Sequence, residues 1–252
     1  MTAPPAPPAP VVLVTGAARR VGAEIARRLH AAGARVAIHC RASRAEAEDL
    51  ATGLNGIRPD SAAVFGADLL DVAGLPRLVD AVVARFGRLD ALVNNASSFY
   101  ATKVGAVDTA IWDDLLGSNL KAPFFLAQAA APQLAASNGC IVNITDIHAE
   151  RPLKGYPVYC AAKAGLLGLT RALAQELGPR VRVNAVAPGA IEWPQGTDDF
   201  PPAERAAIIE HSLLKRVGSP ADIAGTVKFL IFDAPYVTGQ VINVDGGRTA
   251  HL

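Results

Sequence analysis

Tyr159 and Lys163 stand four residues apart in a stretch that reads as helix, so both side chains leave the same face. An ammonium beside a phenol stabilises the phenolate and lowers the phenol pKa from about 10. Such a phenol hands a proton to a substrate while hydride arrives from elsewhere. Asp146, thirteen residues before Tyr159, is a third polar group able to face the same substrate. Alone, Tyr159 and Lys163 would also suit the exposed side of an amphipathic helix. The N-terminal sequence decides between these readings.

Residues 11–15 form a short apolar, β-branched run, the pattern of a buried parallel strand. The turn Gly16-Ala-Ala-Arg-Arg-Val-Gly22 follows, then helical rhythm over 23–32 closed by Gly33. A strand, a glycine turn and a helix N-terminus make an anion site, with backbone N–H groups and the helix dipole aimed at a phosphate. Arg20 occupies the place of the usual middle glycine. The second strand, 34–40, leads into Arg41, Ser43 and Arg44. No Asp or Glu lies between Glu24 and Glu46, so a carboxylate for a ribose 2′-hydroxyl is missing. The arginines and the serine suit a 2′-phosphate instead, which favours NADP(H) over NAD(H).

Further strands are expected near 62–66, 91–93, 140–144, 182–186 and 240–244. Helices are expected near 45–54, 75–86, 120–136, 157–177 and 220–232. This alternation predicts an α/β fold: one domain, a Rossmann-like doubly wound parallel sheet with helices on both faces. Ligands of such a sheet bind at the carboxyl ends of the strands. Those ends carry Gly16 to Gly22, Arg41, Asp68, residues 94–100, Asp146, and Pro188 with Gly189. Residues 191–202, with Trp193, Gln195, Asp198 and Asp199, are the least regular segment, and a substrate lid is expected over about 190–212. Residues 1–10, rich in proline, read as a disordered tail before a domain spanning 11–252, and lack the regions of a signal peptide.

A chain of 252 residues with 51% hydrophobic and 19% charged residues can fill such a core. A net charge of +1 gives no pull toward nucleic acid or a membrane surface. Three widely spaced cysteines read as reduced thiols in a cytoplasmic protein, with Cys160 in packing rather than chemistry. The five histidines show no metal-ligand spacing.

From about residue 11 to 247 the chain resembles the short-chain dehydrogenase/reductases, through Thr15-Gly-Ala-Ala-Arg-Arg-Val-Gly22, Asn94-Asn-Ala96, Asn119, Tyr159-x-x-x-Lys163, Pro188-Gly189 and Val244-Asp-Gly-Gly247. The resemblance implies a catalytic group of Asn119, Tyr159 and Lys163, with Asp146 where the family keeps a serine. It implies cofactor contacts from Gly16, Arg19, Arg20, Val21, Gly22, Arg41, Ser43, Asp68, Leu69, Asn95, Ala96, Ser97, Tyr159, Lys163, Pro188 and Gly189. Lys163 would hold the nicotinamide ribose and Asn119 a relay water.

The substitution matters physically. A hydroxyl donates to a carbonyl oxygen, whereas an ionised carboxylate only accepts and repels a developing alkoxide. An Asp there is similar to the pteridine reductases and dihydromonapterin reductases, as are Asn94-Asn-Ala-Ser-Ser-Phe-Tyr100 and residues 39–50. That branch implies reduction of a dihydropterin or dihydrofolate, with Arg20, Ser97, Phe99, Asp146, Tyr159 and Trp193 at the substrate and Phe99 stacked on the pterin. The same resemblance implies a homotetramer with contacts through 120–136 and 157–177. The rival readings are a broad carbonyl or imine reductase and a non-catalytic NADP-binding protein. Burial against Phe99 would raise the Asp146 pKa while Lys163 and Arg20 would lower it, so its proton is left open.

Overall fold

The computed structural model describes residues 8–193 and 200–250. Seven strands make one parallel sheet in the order β3-β2-β1-β4-β5-β6-β7. They are β1 (Val11–Val14), β2 (Arg35–Cys40), β3 (Ala62–Gly66), β4 (Ala91–Asn94), β5 (Cys140–Ile144), β6 (Arg182–Pro188) and β7 (Val241–Val244).

The fold follows from side-chain alternation along these strands. In β1, Val12 and Val14 enter one core with Val36 and Ile38 of β2, while Val11 and Leu13 enter another with Leu92 and Ile141. Helices α1 (Arg20–Ala31), α2 (Arg44–Ile57) and α8 (Pro220–Lys228) cover the first face. Helices α3 (Leu75–Phe86), α5 (Ala122–Ser137) and α6 (Pro157–Leu177) cover the second. With both faces covered, β1 is buried along its whole length, which is why it reads as an unbroken apolar run. The expected sheet is therefore present, with β3, β5, α3 and α6 at their expected bounds.

Three differences bear on the site. Helix α4 (Thr109–Leu116) was not expected, and the π-helical turn Gly117–Lys121 begins three residues before the helix expected near 120–136. Asp108 caps α4 by accepting from Ile111 N at 2.8 Å. Helix α7 (Pro202–Glu210) occupies most of the second half of the expected lid, whereas Gln195, Asp198 and Asp199 lie outside the described residues. Pro10, assigned to the tail, already accepts from Arg35 N at 2.8 Å, so the fold begins one residue before the expected boundary.

A buried polar chain ties the sheet to α6. Asn94 Nδ2 donates to Asn143 Oδ1 at 2.8 Å, and Asn143 Nδ2 donates to Thr170 Oγ1 at 2.9 Å. Thr170 sits on α6, where Lys163 and Leu166 are also buried. Asn143→Ala should strip the Asn94 amide of its acceptor and cost about 1–3 kcal/mol. Urea unfolding and thermal melts check this, with a fall of roughly 2–4 °C per kcal/mol expected at this chain length. A loss under about 0.5 kcal/mol would place the chain among neutral surface contacts.

Candidate active site

The glycine turn is braced from two sides. Gly16 has φ +61, and Ala96 packs so closely against it that an added Cβ would lie 3.0 Å from the Ala96 Cα. A Cβ on Gly22 would run into the Gly16 carbonyl oxygen. Asn95 Nδ2 donates to the Thr15 and Gly16 carbonyls, at 2.9 and 3.2 Å. Thr15 Oγ1 accepts from Asn95 N and Ala96 N, at 2.9 and 3.0 Å. On the other side, Gly16 N donates to His39 Nδ1 at 3.1 Å and Ala17 N to the His39 carbonyl at 2.9 Å. These two N–H groups therefore serve the scaffold rather than a phosphate. The N–H groups at the start of α1 remain for that role.

Beside the turn lies a cationic corner. Arg19 donates to Ser43 Oγ through Nε at 2.9 Å and pairs with Glu46 at 3.1 Å. Arg41 and Asp68 line the same cleft, with Leu69 buried beneath it. Arg44 pairs instead with Glu48 at 2.8 Å along α2. Arg20, with φ +50, reaches across the cleft to Glu192 at 3.3 Å.

The cluster expected to be catalytic differs from the expectation in one decisive respect. Tyr159 Oη donates to Asp146 Oδ2 at 2.7 Å. Asp146 Oδ1 accepts from His148 N at 2.8 Å, so both carboxylate oxygens act as acceptors. Lys163 Nζ does not reach the phenol oxygen; it donates to the Ile144 carbonyl at 2.9 Å and lies 5.6 Å from the Tyr159 ring centroid. The Tyr159 pKa is consequently raised well above the usual phenol value, by burial first and then by the Asp146 charge and hydrogen bond, with Ser97 pulling weakly the other way. This corrects the expectation that Lys163 lowers it. Burial itself pushes the Lys163 ammonium down to about 8, opposed by Asp146.

Asn119 sits in the π-helical turn and is buried. Its side chain is spent on the loop after β4: Nδ2 donates to the Ser98 carbonyl at 2.9 Å, and Oδ1 accepts from Ser97 Oγ at 2.6 Å. That loop presents Phe99, which stacks on Tyr156 at 4.7 Å and meets the Tyr159 ring edge-on at 4.8 Å. Phe99 is thus half-buried in a small cluster with Leu115 and Tyr156, and it also lines the cleft. Cys160 packs in that cluster, as expected.

The cleft measures about 690 Å³ and gathers the ends of β1, β2, β4, β5 and β6. Val21, Ala96, Pro188, Gly189 and Trp193 all line it, and Trp193 packs on Phe200 with ring centroids 5.9 Å apart. The glycine cradle, the cationic corner and the Tyr159–Lys163 end fit an extended dinucleotide. Sequence reasoning missed His39 and Glu192 as parts of this cleft, and Glu46 as the partner of Arg19 beside it. His39 had a legible signal, a histidine at the end of the second strand; Glu192 had none, because its partner is fixed only by the fold. Among the described residues no helix is long and apolar enough to cross a membrane.

Removing the Asp146 charge should bring the Tyr159 pKa down toward the ordinary phenol value. Phenolate absorbance during alkaline titration reads this directly. Asp146→Asn should ionise one tyrosine earlier than the parent protein, and that tyrosine should vanish from the titration in the Asp146→Asn, Tyr159→Phe double variant. Tyr100 does not interfere, since burial and its Asp114 partner push it up to about 12. Superimposable curves would contradict the coupling.

Residues 16–249 match the family described as enoyl-(acyl carrier protein) reductase. The chain is 42% identical to the granaticin polyketide synthase putative ketoacyl reductase 2 of Streptomyces violaceoruber, over 98% of each chain. It is 40% identical to pteridine reductase 1 of Leishmania tarentolae, over 96% of each, and 38% identical to the 3-oxoacyl-[acyl-carrier-protein] reductase of Staphylococcus aureus, over 93% of this chain and 96% of that one. A solved structure of a putative short-chain alcohol dehydrogenase from Sinorhizobium meliloti 1021 superimposes with a TM-score of 0.92 at 35% identity, covering 98% of both chains. Matches of this length and identity place the chain in the short-chain dehydrogenase/reductase family, as an oxidoreductase of the kind that draws on NAD(P)H.

Proposed function

We propose that the chain is an NADPH-dependent reductase acting on a C=N bond of a dihydropterin: dihydrobiopterin, dihydromonapterin or dihydrofolate. The observation that carries this reading is the 2.7 Å hydrogen bond from Tyr159 to Asp146. A ketone on its way to alkoxide needs donors around its oxygen. Here the phenol proton is directed at a carboxylate, and that carboxylate repels negative charge. A pterin ring presents N–H groups, which an acceptor such as Asp146 can bind.

The other residues take consistent roles. Phe99 supplies an aromatic wall for a flat heterocycle. The α1 N-terminus holds the cofactor's pyrophosphate, and Arg19, Arg41 and Ser43 its 2′-phosphate. Tyr159 and Lys163 hold the nicotinamide ribose, while residues 95–97, Asp68, Leu69, Pro188 and Gly189 line its path. The cofactor supplies the hydride when bound. Tyr159 keeps its proton throughout the neutral range, so the Tyr159–Asp146 pair delivers a proton to the adjacent ring nitrogen, with Asp146 ordering and polarising a water. Arg20, Ser97 and Trp193 complete the substrate wall. The same reading carries a cytoplasmic homotetramer.

Identity of 42% with a ketoacyl reductase favours a second reading, carbonyl reduction with Asp146 as a passive replacement. Initial rates separate the two. Dihydropterins or dihydrofolate with NADPH should exceed 3-ketoacyl thioesters and simple ketones by at least about 100-fold in kcat/KM, some 2.7 kcal/mol in the barrier. NADPH should outperform NADH. The reverse order of substrates would establish the carbonyl reading. Asp146→Ser should lower pterin turnover by more than about tenfold; retention within about threefold would remove Asp146 from the mechanism.

A further inference from the structure

His39 is the residue on which the phosphate turn rests, and nothing in the reaction uses its chemistry. It is the penultimate residue of β2, a buried side chain, 2% exposed, on the cleft wall. Two consecutive N–H groups of the turn terminate on it. Ala17 N donates to its carbonyl at 2.9 Å, and Gly16 N donates to its ring Nδ1 at 3.1 Å. The other ring nitrogen, Nε2, lies 3.1 Å from the Ala67 carbonyl oxygen. A carbonyl can only accept, so Nε2 carries the ring's proton. A backbone N–H can only donate, so Nδ1 must be bare. The two partners together admit a single form of the ring: neutral, with its proton on Nε2.

We infer that His39 in this neutral tautomer is a positioning residue for dinucleotide binding, holding Gly16 in the left-handed conformation from which α1 presents its N–H groups to the pyrophosphate. The reasoning is one of donors and acceptors. Protonation puts a second N–H on Nδ1, directly opposite the Gly16 N–H. The turn then loses an acceptor and faces a donor, with a positive charge buried beside the N-terminus of α1. Gly16 cannot relax freely toward Ala96, whose Cα an added Cβ would approach to 3.0 Å. Asn95 fixes the turn's carbonyls from the opposite side but offers nothing to its N–H groups.

The surroundings keep the ring neutral. Burial lowers its pKa below the usual histidine value, with the Ala67 bond and the Asp68 charge opposing. The remaining charges of that wall are occupied or distant in role: Arg19 pairs with Glu46, Arg20 pairs with Glu192, and Arg41 projects from the end of β2 into the cleft. The sign follows. A binding-competent neutral ring is fully populated above the usual histidine pKa and is lost as pH falls through the lowered one. The device applies to any dinucleotide that binds this turn, so it does not depend on the pterin reading.

The test is calorimetric titration of NADP+ into the full chain from pH 8 to pH 5. The parent protein should bind with a constant Kd above about pH 6.5 and then weaken by up to about tenfold per pH unit below the His39 pKa. His39→Asn keeps an acceptor near the Gly16 N–H but cannot gain the charge. It should bind within about fivefold of the parent at pH 8 and lack the histidine limb; the ligand's own 2′-phosphate titrates alike in both proteins and cancels in their Kd ratio. His39→Leu should bind more than about tenfold more weakly at every pH. His39→Leu binding as tightly as the parent at every pH would overturn the inference. Nitrogen-15 spectra of the imidazole give a measurement free of variants: the proton must be found on Nε2 at neutral pH, and a proton on Nδ1 would equally overturn it.

Discussion

The site turns on one hydrogen bond between two acids. A phenol buried beside Phe99 keeps its proton, and the oxygen that receives that hydrogen bond belongs to a carboxylate rather than to a hydroxyl. The pair therefore offers a substrate one proton and several lone pairs. A typical ketone site offers donors and little else. On the proposed reading, that inversion favours ring N–H groups over a ketone oxygen at the end of the cleft where Lys163 is buried. It also explains why Lys163 cannot be the group that acidifies Tyr159. Its ammonium is tied to the Ile144 carbonyl at 2.9 Å and lies 5.6 Å from the centre of the Tyr159 ring.

Everything around the pair is arranged to hold it still. Asp146 also caps the short 3₁₀ turn Ile147–Ala149, which limits its freedom to rotate away from Tyr159. Tyr159 and Lys163 share one face of α6 with Thr170, which the Asn94–Asn143 chain fastens to the centre of the sheet. Asn119 reaches from the π-helical turn to the Ser97–Ser98 segment and so sets where Phe99 stands. At the other end of the cleft, His39 and Asn95 divide the work of bracing the glycine turn: one takes its N–H groups, the other its carbonyls. The catalytic and cofactor ends are thus rigid for separate reasons, and both depend on side chains at the carboxyl ends of neighbouring strands.

Much of this was legible before any coordinates. Alternating apolar runs and helical rhythm locate the sheet because both of its faces are buried, and burial on two sides leaves a strong compositional trace. The candidate residues are likewise brought to one cleft because each follows a strand end. Helix α4 was missed although Asp108, Ile111 and Leu115 carry an N-cap and a helical apolar spacing; its two turns are short and half exposed. What the sequence could not convey is direction. The spacing of Tyr159 and Lys163 places them on one face but says nothing of where each polar tip ends. Lys163 found a backbone carbonyl and Tyr159 found Asp146, thirteen residues away; burial first, and then the Asp146 charge and hydrogen bond, reversed the expected shift of the phenol pKa. Arg20 likewise met Glu192, a partner 172 residues distant that no local pattern could announce.

The most direct test is a crystal structure of the chain with oxidised cofactor and a bound dihydropterin. A ring N–H of the pterin should lie within about 3 Å of an Asp146 carboxylate oxygen, with the Tyr159 oxygen equally close to that carboxylate and Phe99 against the ring face. A heterocycle bound away from Asp146, or a carboxylate turned to solvent with Tyr159 pointing at the substrate alone, would contradict the account.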